Sequence, residues 1–112
     1  MTQLSQETCE ACRMGAPSLT SAELADLRRQ IPAWRVVEED GVKKLRREFA
    51  FQTFADALAF ANRVGELAEA HDHHPTLTVE WGKTTVVWWT HKIRGLHRND
   101  AILAAKTDAL IS

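Results

Sequence analysis

Three of the chain's five histidines fall within four positions of the stretch EAHDHHPTLTVEW, Glu69 to Trp81. Imidazole titrates near neutrality, so such a cluster suits proton transfer, and neutral imidazole is also a common metal ligand. Spacing argues against the metal. Zinc-binding histidines on a helix stand four apart so that both rings point one way. Here His71 and His73 are two apart and diverge on a helix, while His73 and His74 are neighbours. No cysteine is near, and Glu69, Asp72 and Asp100 are not at a recognisable ligand spacing. No resident metal is therefore expected.

Acid–base chemistry asks for less, because one ring can donate a proton while another accepts one without a cofactor. His91 and Asp100 lie downstream in THKIRGLHRND. Histidines from a helix exit and from the end of a strand can flank a small substrate, with Asp100 fixing a tautomer or orienting a ring. His71 is the expected bystander, and His97 and Arg98 either touch a polar tail of the substrate or face solvent, the second being favoured slightly. Covalent catalysis is not expected: Cys9 and Cys12 lie near the N-terminus, and no serine occupies a strand-to-helix elbow. Elimination or addition of water fits the groups present.

These residues need elements to position them. TSAELADLRRQI reads as a helix capped by Thr20 with Glu23 three residues on, an apolar stripe at Leu24, Leu27 and Ile31, and a stop at Pro32. Residues 33–37 read as a strand, EEDG as a turn, and Val42 to Phe51 as a second strand with Leu45, Phe49 and Phe51 inward. Thr53 caps a long helix whose small residues Ala57, Ala61, Gly65 and Ala68 allow close packing on a sheet. Pro75 bars its continuation. Leu77 to Trp81 and Thr84 to Thr90 form a second hairpin, Gly95 supplies a turn, and Asn99 caps a last helix from Asp100 to Ile111. The order is α-β-β-α-β-β-α, an α+β fold with a four-stranded antiparallel sheet and three helices against it.

Alternation along the last strand puts Thr85, Val87, Trp89 and His91 on one side and Val86, Trp88 and Thr90 on the other. A tryptophan on each face suggests cover on the second face from a partner subunit or a flat ligand, or else a ring that spans the core edge. Length bounds the rest: 112 residues suit one domain, 19–112, preceded by a loose arm, 1–18, whose CEAC reads as two reduced thiols, the alternatives being a zinc shared with another group or a dithiol pair. Net charge is −1, so nucleic acid is not an expected partner, and the basic run KKLRR reads as a solvated sheet edge. No apolar run approaches a membrane span and no signal peptide is visible, which makes the cytoplasm the expected location.

Glu69, His73-His74-Pro75, Trp81 in an aromatic position, Thr90-His91, Gly95-Leu96 and Asp100 together resemble the signature of the pterin-4a-carbinolamine dehydratases. The resemblance reaches back through Trp34, GVKKLRREFAFQTF and FANRVGELAE, covering roughly residues 20 to 110. The arm is similar to that of bacterial members associated with phenylalanine hydroxylation. The resemblance implies a four-stranded antiparallel sheet with helices on one side, assembled as dimers or tetramers. It implies dehydration of 4a-hydroxytetrahydrobiopterin, or a related 4a-hydroxytetrahydropterin, to the quinonoid dihydropterin, with no metal or added cofactor. That activity recycles the pterin of an aromatic amino acid hydroxylase, phenylalanine hydroxylase being the expected functional link. The catalytic residues it implies are His73, His74 and His91, with Asp100, Trp81 and Glu69 binding substrate. Trp81 replaces the tyrosine of many members, leaving a flat apolar surface without a hydroxyl. The rival expectation is a non-catalytic hydroxylase accessory or a module that binds a partner helix.

Overall fold

The structure, a computed structural model, describes residues 3–7 and 18–111; the CEAC thiols lie outside these. Helix α1 (Ser21–Leu27) begins at Thr20, whose hydroxyl accepts the Glu23 N–H at 3.1 Å while the Glu23 carboxylate accepts the Thr20 N–H at 2.9 Å. This reciprocal cap satisfies two of the amide donors that a helix start leaves unpaired. A 3₁₀ turn (Arg28–Gln30) follows, and the chain then enters β1 (Arg35–Glu39). Asp40 and Gly41 both have positive φ, 52° and 77°, the backbone that a two-residue primed turn demands. The turn returns the chain into β2 (Val42–Ala50), with Glu39 opposite Val42.

Helix α2 (Phe54–His71) is capped by Thr53, whose hydroxyl accepts the Asp56 N–H at 3.1 Å. Its buried face is Ala57, Phe60, Ala61, Val64 and Ala68, and it lies close enough to the sheet for the Thr84 hydroxyl to donate to the Ala57 carbonyl at 2.7 Å. The second hairpin joins β3 (Thr76–Glu80) to β4 (Lys83–Trp88) through Trp81 and Gly82. Helix α3 (Arg98–Ala109) closes the described chain.

All strand pairs are antiparallel, in the order β1-β2-β4-β3. Leu45, Phe49, Val86 and Trp88 form the buried, helix-side layer, joined by Trp34, Ile102 and Leu103. Two tryptophans buried here have their indole N–H satisfied: Trp34 donates to Asp108 at 2.9 Å and Trp88 to the Thr107 hydroxyl at 3.1 Å. Burial holds the Asp108 carboxyl above the usual carboxylate range, against the hydrogen bonds and charge of Trp34 and Arg47.

Two expectations about the chain's periphery need correction. Strand β2, expected at a solvated edge, lies inside the sheet between β1 and β4. Its basic run is correspondingly engaged: Lys44 pairs with Glu39, Arg46 with Glu48 and Arg47 with Asp108. The beginning of the arm is not loose either. A 3₁₀ turn (Leu4–Gln6) packs against α3, and Leu4 is 0% exposed in the core. The Leu4 N–H donates to the Gln30 side chain, Lys106 donates to the Ser5 carbonyl, and Arg98 holds Glu7 with two hydrogen bonds. Leu4→Ala should therefore cost about 2–5 kcal/mol, the range for emptying a core leucine site. Urea unfolding measures it, and a loss below about 0.5 kcal/mol would show that the segment does not hold the core.

Candidate active site

Asp72 decides which way the adjacent histidines point. It follows the last residue of α2 with φ 49°, a left-handed conformation that aspartate tolerates better than most side chains. The His73 N–H then donates to the Ala68 carbonyl at 3.1 Å, closing the helix with a Schellman turn. From this turn the His73 side chain enters the fold and is 9% exposed, while His74 stays outside and Pro75 leads into β3.

Inside, the His73 ring lies 5.9 Å from that of Trp88, stacked at 26°, and its Nε2 is 2.7 Å from Asp100 Oδ1. Asp100 is 0% exposed. Its second oxygen accepts the Thr90 hydroxyl at 2.7 Å and the His97 N–H at 2.9 Å. An ionised carboxylate only accepts, so Nε2 of His73 carries the hydrogen of this bond, and in the neutral ring the lone pair is then on Nδ1. Burying this charge is tolerable because three donors surround it and because it sits in the first turn of α3, at the positive helix end.

The cap of α3 departs from expectation. His97, not Asn99, is the N-cap: its Nδ1 accepts the Asn99 N–H at 3.0 Å, and its own N–H is held by Asp100. His97 is thus a structural residue of the site rather than a solvent-facing one, and Arg98 is paired with Glu7. Gly95 was expected to supply the turn, but the left-handed residue there is Arg94, with φ 49°. A Cβ on Gly95 would stand 3.0 Å from the Ser18 hydroxyl, which would have to give way by a few tenths of an ångström.

His91 opens the short 3₁₀ turn after β4 (His91–Ile93). The loop is closed at its neck by Thr90 and Gly95, which exchange hydrogen bonds of 2.9 and 3.3 Å. Thr90 therefore ties the base of the His91 loop to the same carboxylate that holds His73. The two rings stack on adjacent tryptophans at this end of the sheet, His73 on Trp88 and His91 on Trp89, the latter 3.9 Å away at 18°.

The remaining expected residues sit apart from this network. His74 Nε2 lies 3.5 Å from Glu69 in an exposed pair, which contributes little to stability. Both line an open groove of about 1120 Å³ between α2 and β3, together with Gly65, Pro75, Leu77 and Val79. Trp81 is 75% exposed in the β3–β4 turn, at the far end of the hairpin from the histidines. Five strand residues separate the ends, roughly 17 Å, so one chain does not bring Trp81 to its own His73. His71 closes α2, and its imidazole is held below the usual histidine range by burial first, then by the charge of Lys106 and of His73. Among the described residues no three His, Cys, Asp or Glu groups converge as metal ligands, and no helix is long and apolar enough to cross a membrane.

Sequence inspection paired His73, His91 and Asp100 but missed Thr90 and His97 as holders of the carboxylate. Thr90 was visible as a polar residue on the apolar side of its strand. Asp100→Ala removes the acceptor for three donors, whereas Asp100→Asn retains one oxygen for Thr90 and His97. The alanine variant should lose at least about 1 kcal/mol more stability than the asparagine variant in urea unfolding. Equal stabilities would mean that the donors find other partners.

The family described as pterin 4 alpha carbinolamine dehydratase matches residues 17–110. A protein of Syntrophotalea carbinolica, provisionally named a pterin-4-alpha-carbinolamine dehydratase, is 58% identical over 99% of both chains. One of Photobacterium profundum with the same provisional name is 55% identical over 96% of both. The crystal structure of a transcriptional coactivator/pterin dehydratase from Brucella melitensis superposes with a TM-score of 0.76 at 28% identity, spanning 86% of this chain and 100% of that one. A pterin dehydratase-like protein described as a RuBisCO assembly factor of the alpha-carboxysome is 24% identical, with a TM-score of 0.59 over 70% of this chain and 88% of its own, a likeness of fold alone. With a match over nearly its whole length and close relatives end to end, the chain belongs to the pterin 4 alpha carbinolamine dehydratase family.

Proposed function

We propose that this chain dehydrates a 4a-hydroxytetrahydropterin to the quinonoid dihydropterin and water by histidine acid–base catalysis. The 4a-hydroxyl takes up a proton and leaves as water, N5 gives up its proton, and the C4a–N5 double bond forms. The observation that carries this reading is the Asp100 carboxylate, which holds His73 by Nε2 and anchors, through Thr90, the loop of His91. With Nε2–H committed to Asp100, His73 exchanges a proton with substrate through Nδ1, as an acceptor. His73 is then the base at N5, His91 the acid at the departing oxygen, and His74 with Glu69 orients the ring. The activity would serve an aromatic amino acid hydroxylase, phenylalanine hydroxylase above all, in the cytoplasm.

A homodimer or homotetramer belongs to the same proposal. Strand β3 ends the sheet order and has one unpaired edge. Residues opposed in a sheet point to one side, so symmetric pairing of two β3 edges must centre on a residue to keep the helices together. Centring on Thr78 pairs all five residues, Leu77 with Val79 and Thr76 with Glu80, and opposes no like charges. Trp81 of the second copy then lies beside Pro75, at the mouth of the groove that His74 lines, and becomes a wall for a flat substrate.

The test is to generate a 4a-hydroxytetrahydropterin and follow its decay with wild type and His91→Ala, each with and without chelator. Wild type should accelerate the decay unaffected by chelator, and His91→Ala should lower turnover by about 10²-fold or more while pterin affinity changes far less. Equal losses in turnover and affinity would reduce His91 to a binding residue. No acceleration by wild type would leave the accessory role.

A further inference from the structure

Trp89 has no place in the chemistry above, yet its surroundings are unlike those of Trp34 and Trp88. Trp34 and Trp88 are fully buried with their N–H groups satisfied, whereas Nε1 of Trp89 is buried without a hydrogen-bond partner among the described residues. A buried donor left unpaired costs stability, so the position of this indole asks for a physical account. The indole is partly buried against the core just past the end of β4, and two side chains meet its ring. The His91 imidazole stacks on it at 3.9 Å and 18°, and the Lys44 ammonium, itself paired with Glu39 at 3.2 Å, lies 4.6 Å from the ring centre.

The loop fixes the backbone of His91 but not its ring. Thr90 and Gly95 close the neck, and the Arg94 N–H donates to the His91 carbonyl at 3.3 Å. The side chain is exposed, and no hydrogen bond or ion pair to it was found among the described residues. Left alone it would sample about six orientations, three wells at χ1 and two at χ2. Stacking on an indole selects one of them and presents the ring edge, with its nitrogens, to one direction.

We infer that Trp89 is a positioning residue for His91: its indole is the platform that holds the imidazole flat at the end of the sheet, leaving the nitrogen-bearing edge open to substrate. This rests on His91 being the proton-transfer group proposed above. Lys44 secures the platform from the neighbouring strand without touching the histidine's own backbone. The cost of the unpaired indole N–H is then the consequence of turning the ring to suit His91.

The test compares Trp89→Phe, which keeps an aromatic face, with Trp89→Leu, which keeps apolar cover without one. In wild type the His91 ring protons should resonate upfield of free histidine, through the ring current of the indole. They should return to the free position in Trp89→Leu and stay shifted in Trp89→Phe. Turnover should fall about three- to tenfold in Trp89→Leu with KM within twofold, and Trp89→Phe should restore most of it. Unfolding in urea, run alongside, confirms that all three proteins are folded. His91 resonances that do not move in the leucine variant would overturn the platform. A lost ring-current shift with unchanged turnover would overturn the positioning role. If wild type lacked dehydratase activity, the catalytic purpose would fall with the proposed function, while the ring-current comparison would still decide whether the stack exists.

Discussion

Asp100 carries a carboxylate with no solvent exposure, and three segments of the chain donate to it: the exit of α2 through His73, the end of β4 through Thr90, and the cap of α3 through His97. In a low-dielectric interior such a charge is stable only while its donors stay in place, so each of those segments is constrained by the other two. That mutual constraint is what turns separate histidines into one arrangement. It fixes the orientation and tautomer of His73, and it fixes the origin of the loop that carries His91.

The rest of the fold serves this junction. The Schellman turn at Asp72 sends His73 inward and His74 outward. Trp88 provides the floor for His73 and is itself held by Thr107 of α3, the helix whose first turn contains Asp100. The small residues of α2 let that helix lie close on β4, so that its C-terminus arrives where the strand ends. Family membership is consistent with this layout, because relatives matching end to end retain the length of chain needed to build all three segments.

Local chemistry was legible in the sequence and long-range pairing was not. Thr20 with Glu23, Thr53 with Asp56, and Asp40-Gly41 each announce their structure within four residues, because caps and tight turns are made by near neighbours. The histidine pattern likewise pointed to His73, His91 and Asp100. What escaped was set by distant partners. Strand β2 is interior because β4 inserts between it and β3, which no local pattern encodes. Leu4 is core because Gln30 and α3 receive it, although nothing around it is periodic. Histidine is not a usual helix cap, so Asn99 looked the better candidate until His97 was seen to be held by Asp100. Trp81 is close to His73 and His74 in sequence, but the extended strand β3 between them carries it to the far end of the hairpin.

The central claim is that Asp100 sets the tautomer of His73, with hydrogen on Nε2 and a lone pair on Nδ1. Long-range ¹⁵N–¹H correlation of the imidazole nitrogens, at a pH where the ring is neutral, reads this directly. The account predicts a pyrrole-type Nε2 and a pyridine-type Nδ1 in wild type, and an exchange of the two in Asp100→Asn, whose amide would donate to Nε2 instead. A wild-type His73 with hydrogen on Nδ1, or one whose tautomer ignores the substitution, would contradict it.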